Sequence, residues 1–169
     1  MLEQFLHHID RHRLCQKSDL ILLAVSGGVD SMAMLYLFKE AGFRVGVAHC
    51  NFQLRGKESD GDEEFVRQVC KDLNVPFFFS RFETEAYAWE NTLSIQMAAR
   101  ELRYTWFDEV LRGHSYTWLA TGHHLDDTME TIHRIERYCG DKKYDLIGIG
   151  IPKTVDNDLF GTDHTPGFP

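Results

Sequence analysis

Three segments of the 169-residue chain set reactive residue types at fixed spacing. The first, AVSGGVDSM over Ala24–Met32, places Ser26, Gly27, Gly28, Val29, Asp30 and Ser31 between an apolar run and a helical pattern. Glycines let a backbone approach an anion closely, and free amides at a helix start, with the helix dipole behind them, favour phosphate. The segment lacks the Gly-Lys-Ser/Thr of the phosphate loop of kinases and GTPases. A glycine turn capped by Ser26 or Asp30 is the alternative that needs no ligand. The second segment, AHCNFQLRG over Ala48–Gly56, carries His49, Asn51 and Arg55, with a packed core histidine as the plain alternative for His49. The third, ATGHHLDDTMET over Ala120–Thr131, carries Asp126, Asp127 and Glu130 at i, i+1 and i+4. Asp126 and Glu130 share one helix face, one turn apart. Clustered carboxylates repel unless a cation joins them, and an oxygen-rich set suits Mg²⁺ bridging phosphates. A charge–dipole cluster at a helix start is the alternative. A zinc site of His123, His124 and Asp126 is disfavoured, because adjacent residues do not both aim easily at one ion.

The elements that must hold these segments follow from periodicity. Residues 1–14 show near-helical apolar spacing, and Leu20–Val25 is an unbroken apolar run, the pattern of a strand buried on both faces of a parallel sheet. A helix over Ser31–Lys39, a strand over Arg44–Cys50, a helix over Asp60–Leu73 and a strand over Pro76–Arg81 continue the alternation. A long helix about Thr92–Arg112, a strand over Thr117–Thr121 and a helix over Leu125–Arg137 complete it. This order implies an α/β doubly wound, mainly parallel sheet, in which ligands bind beyond the carboxyl ends of the strands, where all three segments fall. The acidic stretch Glu58–Glu64 reads as a solvated helix start. Arg100 and Arg103 lie three apart on a helix whose apolar side includes Ile95, Met97, Leu102, Trp106 and Phe107, so the two arginines flank the buried face. Met32, Met34, Leu35 and Leu37 read as core.

Composition bounds the function classes. Hydrophobic residues make up 43% and charged residues 26%, which is globular, and no apolar run nears the roughly 20 residues of a membrane helix. The N-terminus lacks a secretory pattern, and Cys15, Cys50, Cys70 and Cys139 form no Cys-x-x-Cys pair, so a reducing cytoplasm is the expected compartment. A net charge of −8 weighs against the whole chain being a stand-alone RNA binder, whose surface is usually basic.

Ser-Gly-Gly-Val-Asp-Ser at 26–31 resembles the pyrophosphate-binding loop of the ATP pyrophosphatase superfamily, whose members split ATP between its α and β phosphates and pass AMP to an acceptor. The stretches 48–60 and 120–131, and Ala99-Arg100-Glu101-Leu102-Arg103-Tyr104 between them, resemble the lysidine-forming, tRNA-modifying branch. The match spans about residues 15–132. It implies an adenine nucleotide alpha hydrolase-like fold, ATP and Mg²⁺ as cofactors, and lysine and tRNA as partners. It further implies that Ser26, Gly27, Gly28, Val29, Asp30 and Ser31 hold the pyrophosphate, and that Asp126, Asp127 and Glu130 position Mg²⁺ and substrate. His49, Asn51, Arg55, Gly122 and His123 would line the nucleotide, and Arg103 or Arg100 would face the nucleotide or the RNA. Asp30, Asp126, Asp127 and Arg103 are the expected catalytic set. A tRNA-thiolating relative would be expected to show paired cysteines.

After Ile132 the sequence departs from that branch, whose tRNA-holding domains are expected to follow. Lys143–Phe168, KYDLIGIGIPKTVDNDLFGTDHTPGF, resembles an internal segment of pyrophosphate-dependent phosphofructokinases. That likeness implies sugar-phosphate roles for Thr154, Asp156 and Asp158 and a pyrophosphate role for Lys153. As chemistry it is incomplete, because phosphoryl transfer needs a glycine loop and metal-binding partners in register upstream. The expectation is therefore a domain over 1–132 joined near 132–142 to a tail, 133–169, too short to fold alone. Leu146–Ile151 reads as an apolar β run.

Overall fold

The computed structural model describes residues 1–122 in full and the backbone of 149–150. Helix α1 (Leu2–His12) precedes strand β1 (Leu20–Ala24), helix α2 (Val29–Glu40), strand β2 (Arg44–Asn51), helix α3 (Lys57–Asp72) and strand β3 (Phe77–Arg81). Helices α4 (Thr84–Glu90) and α5 (Ile95–Gly113), strand β4 (Trp118–Thr121) and the short strand β5 (Ile149–Gly150) follow.

The strands form one sheet in the order β3-β2-β1-β4-β5, with every pair parallel. The chain builds outward from β1 through β2 to β3, then returns to the other side of β1 for β4. That reversal puts the topological switch point, where such sheets bind ligands, between β1 and β4. The register aligns Ala24 with Ala48 on one side and with Thr121 on the other, so the three central strands end level.

Burial on both faces explains the unbroken apolar run of β1. Ile21 and Leu23 join a core with Phe5, Met34, Leu35, Phe38 and Val66 from α1, α2 and α3, while Leu22 faces the opposite core with Phe107, Val110 and Leu119. Each fully buried residue of this kind contributes about 1.5–3 kcal/mol. Phe5, Phe38 and Phe43 pack edge to face, at 4.9 Å between Phe5 and Phe38 and 5.4 Å between Phe38 and Phe43. Met32, Met34, Leu35 and Leu37 are all buried, as their pattern predicts.

Three expectations need correction. The helix expected about Thr92–Arg112 is α5, but it begins only at Ile95 and is preceded by a short helix, α4, that the pattern did not predict: Thr92 at φ 55° separates the two, and Ser94 caps α5 by accepting from the Met97 N–H at 3.2 Å. In the first turns of α5 the buried positions belong to Ala98 and Ala99, which leaves Ile95 and Met97 exposed instead of on the apolar side. The acidic stretch does open a helix, with Glu58 and Asp60 in its first turn, but Glu63 is buried. The helix expected over Leu125–Arg137 lies outside the described residues. Within the expected run 146–151, Ile149 and Gly150 pair with Ala120 and Thr121 of β4. Among the described residues, no helix is long and apolar enough to cross a membrane.

Candidate functional site

The chain leaves the sheet after Val25, whose N–H donates to the Ala48 carbonyl at 3.0 Å. Gly27 then takes φ +95°, a conformation costing an L residue about 1–2 kcal/mol. A Cβ there would make only ordinary contacts, 3.4 Å from Asp62 Cβ and 3.5 Å from Val66 Cγ2, so the dihedral and not the space calls for glycine. Gly28 is the N-cap of α2. The buried Ser31 hydroxyl donates to the Gly28 carbonyl at 2.9 Å, accepts from the Ser26 N–H at 3.2 Å, and lies 3.2 Å from Ser26 Oγ. Ser26 Oγ in turn accepts from the Gly28 N–H at 3.4 Å. The two serines thus clamp the turn from within.

The first internal bond of α2 runs from the Met32 N–H to the Gly28 carbonyl at 3.0 Å. The amides of Val29, Asp30 and Ser31 lie ahead of it at the positive end of the helix dipole. Val29 is 75% exposed and Asp30 is exposed, so the outer face of the loop is open. Among the described residues nothing covers it. Such an arrangement can receive an anion on backbone amides without moving a side chain.

The exit of β4 touches this loop. A Cβ on Gly122 would sit 3.3 Å from Ser31 Cα and 3.4 Å from the Asp30 carbonyl carbon and oxygen, all of them backbone atoms. A side chain at Gly122 would press on the backbone at the start of α2, which would have to give by a few tenths of an ångström. His123, His124, Asp126, Asp127 and Glu130 follow Gly122 directly in sequence and lie outside the described residues, as do Cys139, Lys153, Thr154, Asp156 and Asp158.

At the exit of β2, His49 and Asn51 are 2% and 1% exposed. His49 Nδ1 lies 2.8 Å from the Val25 carbonyl, which fixes that nitrogen as the donor, and burial pushes the ring below its ordinary value, so it is neutral. Asn51 Nδ2 donates to Asp60 Oδ1 at 3.0 Å and to Glu63 Oε2 at 3.1 Å, and its Oδ1 accepts from the Gln53 N–H at 3.0 Å. Its amide is engaged at both ends within the protein. Arg55 is exposed and pairs with Asp62 at 2.8 Å.

Glu63 is the residue that the sequence reading passed over. Its carboxylate also accepts from Arg67 at 2.7 Å and from Arg81 at 2.8 and 3.2 Å. Burial alone would raise its pKa, but the hydrogen bonds from Arg81, Asn51 and Arg67 outweigh it and hold the group at about 2. A signal was present: the buried positions Ser59, Glu63, Val66 and Cys70 of α3 recur at helical spacing, which puts Glu63 in a stripe facing the sheet.

On α5, Arg103 lies over the Phe52 ring at 5.0 Å, beside the β2 exit, and Arg100 lies over Tyr104 at 5.6 Å. Arg100 Nη2 is buried without a partner among the described residues. Burial pushes the Cys50 thiol up to about 12 despite Arg103 nearby, and the Cys15 and Cys70 thiols up to about 11. Thiols raised in this way are held in the protonated form at neutral pH. Among the described residues no group of three or more His, Cys, Asp or Glu is arranged to hold a metal.

Comparison with known proteins identifies relatives of this arrangement. The family model described as "PP-loop domain" matches residues 1–153. The tRNA(Ile)-lysidine synthase of Chlorobaculum tepidum is 49% identical over 136 residues, covering 77% of this chain and 40% of the relative. That of Porphyromonas gingivalis W83 is 46% identical over 125 residues, covering 73% and 28%, and that of Petrotoga mobilis is 46% identical over 134 residues, covering 76% and 43%. The chain thus spans well under half the length of these curated relatives. The NH3-dependent NAD synthetase of Campylobacter jejuni, solved in complex with the nitrate ion, superposes with a TM-score of 0.54 at 18% identity over 70% of this chain and 53% of that one, a likeness of fold. The phosphofructokinase likeness of 143–168 is not shown by these comparisons.

Proposed function

The chain belongs to the PP-loop domain family, and on that premise we propose that it carries out the ATP-using chemistry of tRNA lysidine formation. In this reading a tRNA cytidine carbonyl oxygen attacks the α phosphorus of ATP, the bond to the β phosphate breaks and pyrophosphate leaves. The amine of lysine then displaces AMP from the adenylated base. The observation that carries the proposal is 49% identity over 136 residues to a protein named tRNA(Ile)-lysidine synthase. The open amide cradle at the switch point supports it, because its donor set fits a polyphosphate.

Ser26, Gly27, Gly28, Val29, Asp30 and Ser31 would hold the departing pyrophosphate through backbone amides and the two hydroxyls. Gly122, whose Cα abuts the loop, and His123 after it would border the nucleotide, with His49, Asn51 and Arg55 on the other side. The burial of His49 and the occupied amide of Asn51 support a positioning role for both. Arg103, above Phe52, would stabilise charge on nucleotide or RNA, and Arg100 is its alternate. Asp126, Asp127 and Glu130 would hold Mg²⁺, which neutralises phosphate charge when bound. Catalysis on this account is positioning and charge stabilisation, and no general base is assigned. The sequence holds no Cys-x-x-Cys pair of the kind expected of a thiolating relative.

Residues 133–169 we propose to be a tail that contributes β5 to the sheet and no phosphotransfer of its own, whatever the source of the phosphofructokinase likeness at Lys153, Thr154, Asp156 and Asp158. Fructose 6-phosphate turnover should be undetectable, and measurable turnover would overturn this.

The test of the main proposal is pyrophosphate release from Mg·ATP in the presence of tRNA and lysine. Asp30→Ala and Asp126→Ala should each reduce it at least about 100-fold, the scale of losing a major charge-stabilising group. Release that is undetectable in the parent, or equal in parent and variants, would contradict the assignment.

A further inference from the structure

The loop does not stand alone: helix α3 lies beside its left-handed glycine. The Cβ that Gly27 lacks would touch Asp62 and Val66, so the face of α3 carrying residues 62–66 forms the floor of the loop. Glu63 lies between those two contacts. Its side chain is 3% exposed, and its four hydrogen bonds come from three separate elements: Asn51 at the end of β2, Arg67 one turn on in α3, and Arg81 at the end of β3. Asn51 also receives the Gln53 N–H and reaches Asp60, which ties the following turn into the same cluster. His49, whose charge state senses Glu63 and Asp62, sits between this cluster and the Val25 carbonyl at the root of the loop. A single carboxylate therefore ties α3 to two strand exits, on the stretch of that helix that lies beside Gly27.

We propose that Glu63 is a positioning residue for the phosphate loop, one that touches no substrate but sets the shape of the amide cradle. This rests on the reading of the loop as an ATP phosphate site. Because the effect passes through the loop and not through the adenosine end, its mark is a selective loss of affinity for the phosphates.

The test titrates the full chain with Mg·ATP and, separately, with adenosine, alongside thermal melting. In Glu63→Gln, which keeps size and removes the charge, the Kd for Mg·ATP should rise at least about tenfold while adenosine affinity changes less than about twofold. Glu64→Gln, a change at an exposed neighbour, should leave both constants at the parent values. Should Glu63→Gln fail to fold, Arg81→Ala removes two of the four bonds from a half-exposed side chain and should show the same selectivity at reduced size. A folded variant with parental Mg·ATP affinity, or with ATP and adenosine weakened equally, would overturn the proposal and leave the ATP reading intact. A parent that binds adenosine but gains nothing from the phosphates would overturn both.

Discussion

Gly27, Gly122 and Glu63 carry the residue-scale consequences. Gly27→Ala must place an L side chain at φ +95°, so it should lose about 1–2 kcal/mol in urea denaturation, and a loss near zero would mean that the loop relaxes freely. Gly122→Val presses a branched side chain on the backbone of Asp30 and Ser31, which cannot swing aside as a flexible side chain would. It should weaken Mg·ATP binding more than Gly27→Ala does, as read by the same titration. Glu63 gives the acid response a defined sign. Its folded pKa of about 2 lies below the ordinary 4.5, so its contribution is complete above about pH 4.5 and drains away as pH falls toward 2. A shift of this size corresponds to about 3 kcal/mol, and Glu63→Gln should flatten that part of the stability–pH curve. Ser26–Ser31 was legible in the sequence, because glycine, serine and strand-turn-helix order are local properties. Glu63 was not read, because three of its four bonds come from Asn51 and Arg81, 12 and 18 residues away, and an acidic run looks solvated until the sheet is placed under it.

Among the elements, β1, α2 and β2 were legible for a common reason. Each is buried along one or both faces, so burial and pattern coincide, as the run Leu20–Ala24 shows. The start of α5 was not, since Ile95 and Met97 supply an apolar signal at positions that the fold leaves in solvent, while Ala98 and Ala99 supply the contact. Small residues that permit close packing carry little hydrophobic signal. The Ser94 cap adds a local expectation: Ser94→Ala should destabilise by about 1 kcal/mol through loss of the bond to the Met97 N–H, with no effect on nucleotide affinity. A change in nucleotide affinity would show that α5 moves the site.

For the whole molecule, the parallel sheet order β3-β2-β1-β4-β5 brings segments separated by nearly 100 residues to one edge: the loop after Val25 and the exit of β4 at Gly122. The alternation of strands and helices made the sheet class legible, and the resemblance at 26–31, 48–60 and 120–131 made the family legible. The pairing of β5 with β4 came from the structure, because a run as short as Ile149–Gly150 has no partner written in its own sequence. It yields a protease test: a stable limit fragment should retain residues through 150, whereas a stable cut near Gly140 that releases the rest would contradict the pairing.

The claim on which everything else depends is that backbone amides of the loop receive the phosphates of ATP. Amide chemical shifts of the ¹⁵N-labelled chain, followed during titration with Mg·ATP, test it directly. Shifts concentrated on Gly27, Gly28, Val29, Asp30 and Ser31, abolished when adenosine replaces ATP, are the expected result. Saturable binding that leaves those five amides unmoved, or no binding at millimolar Mg·ATP, would contradict it.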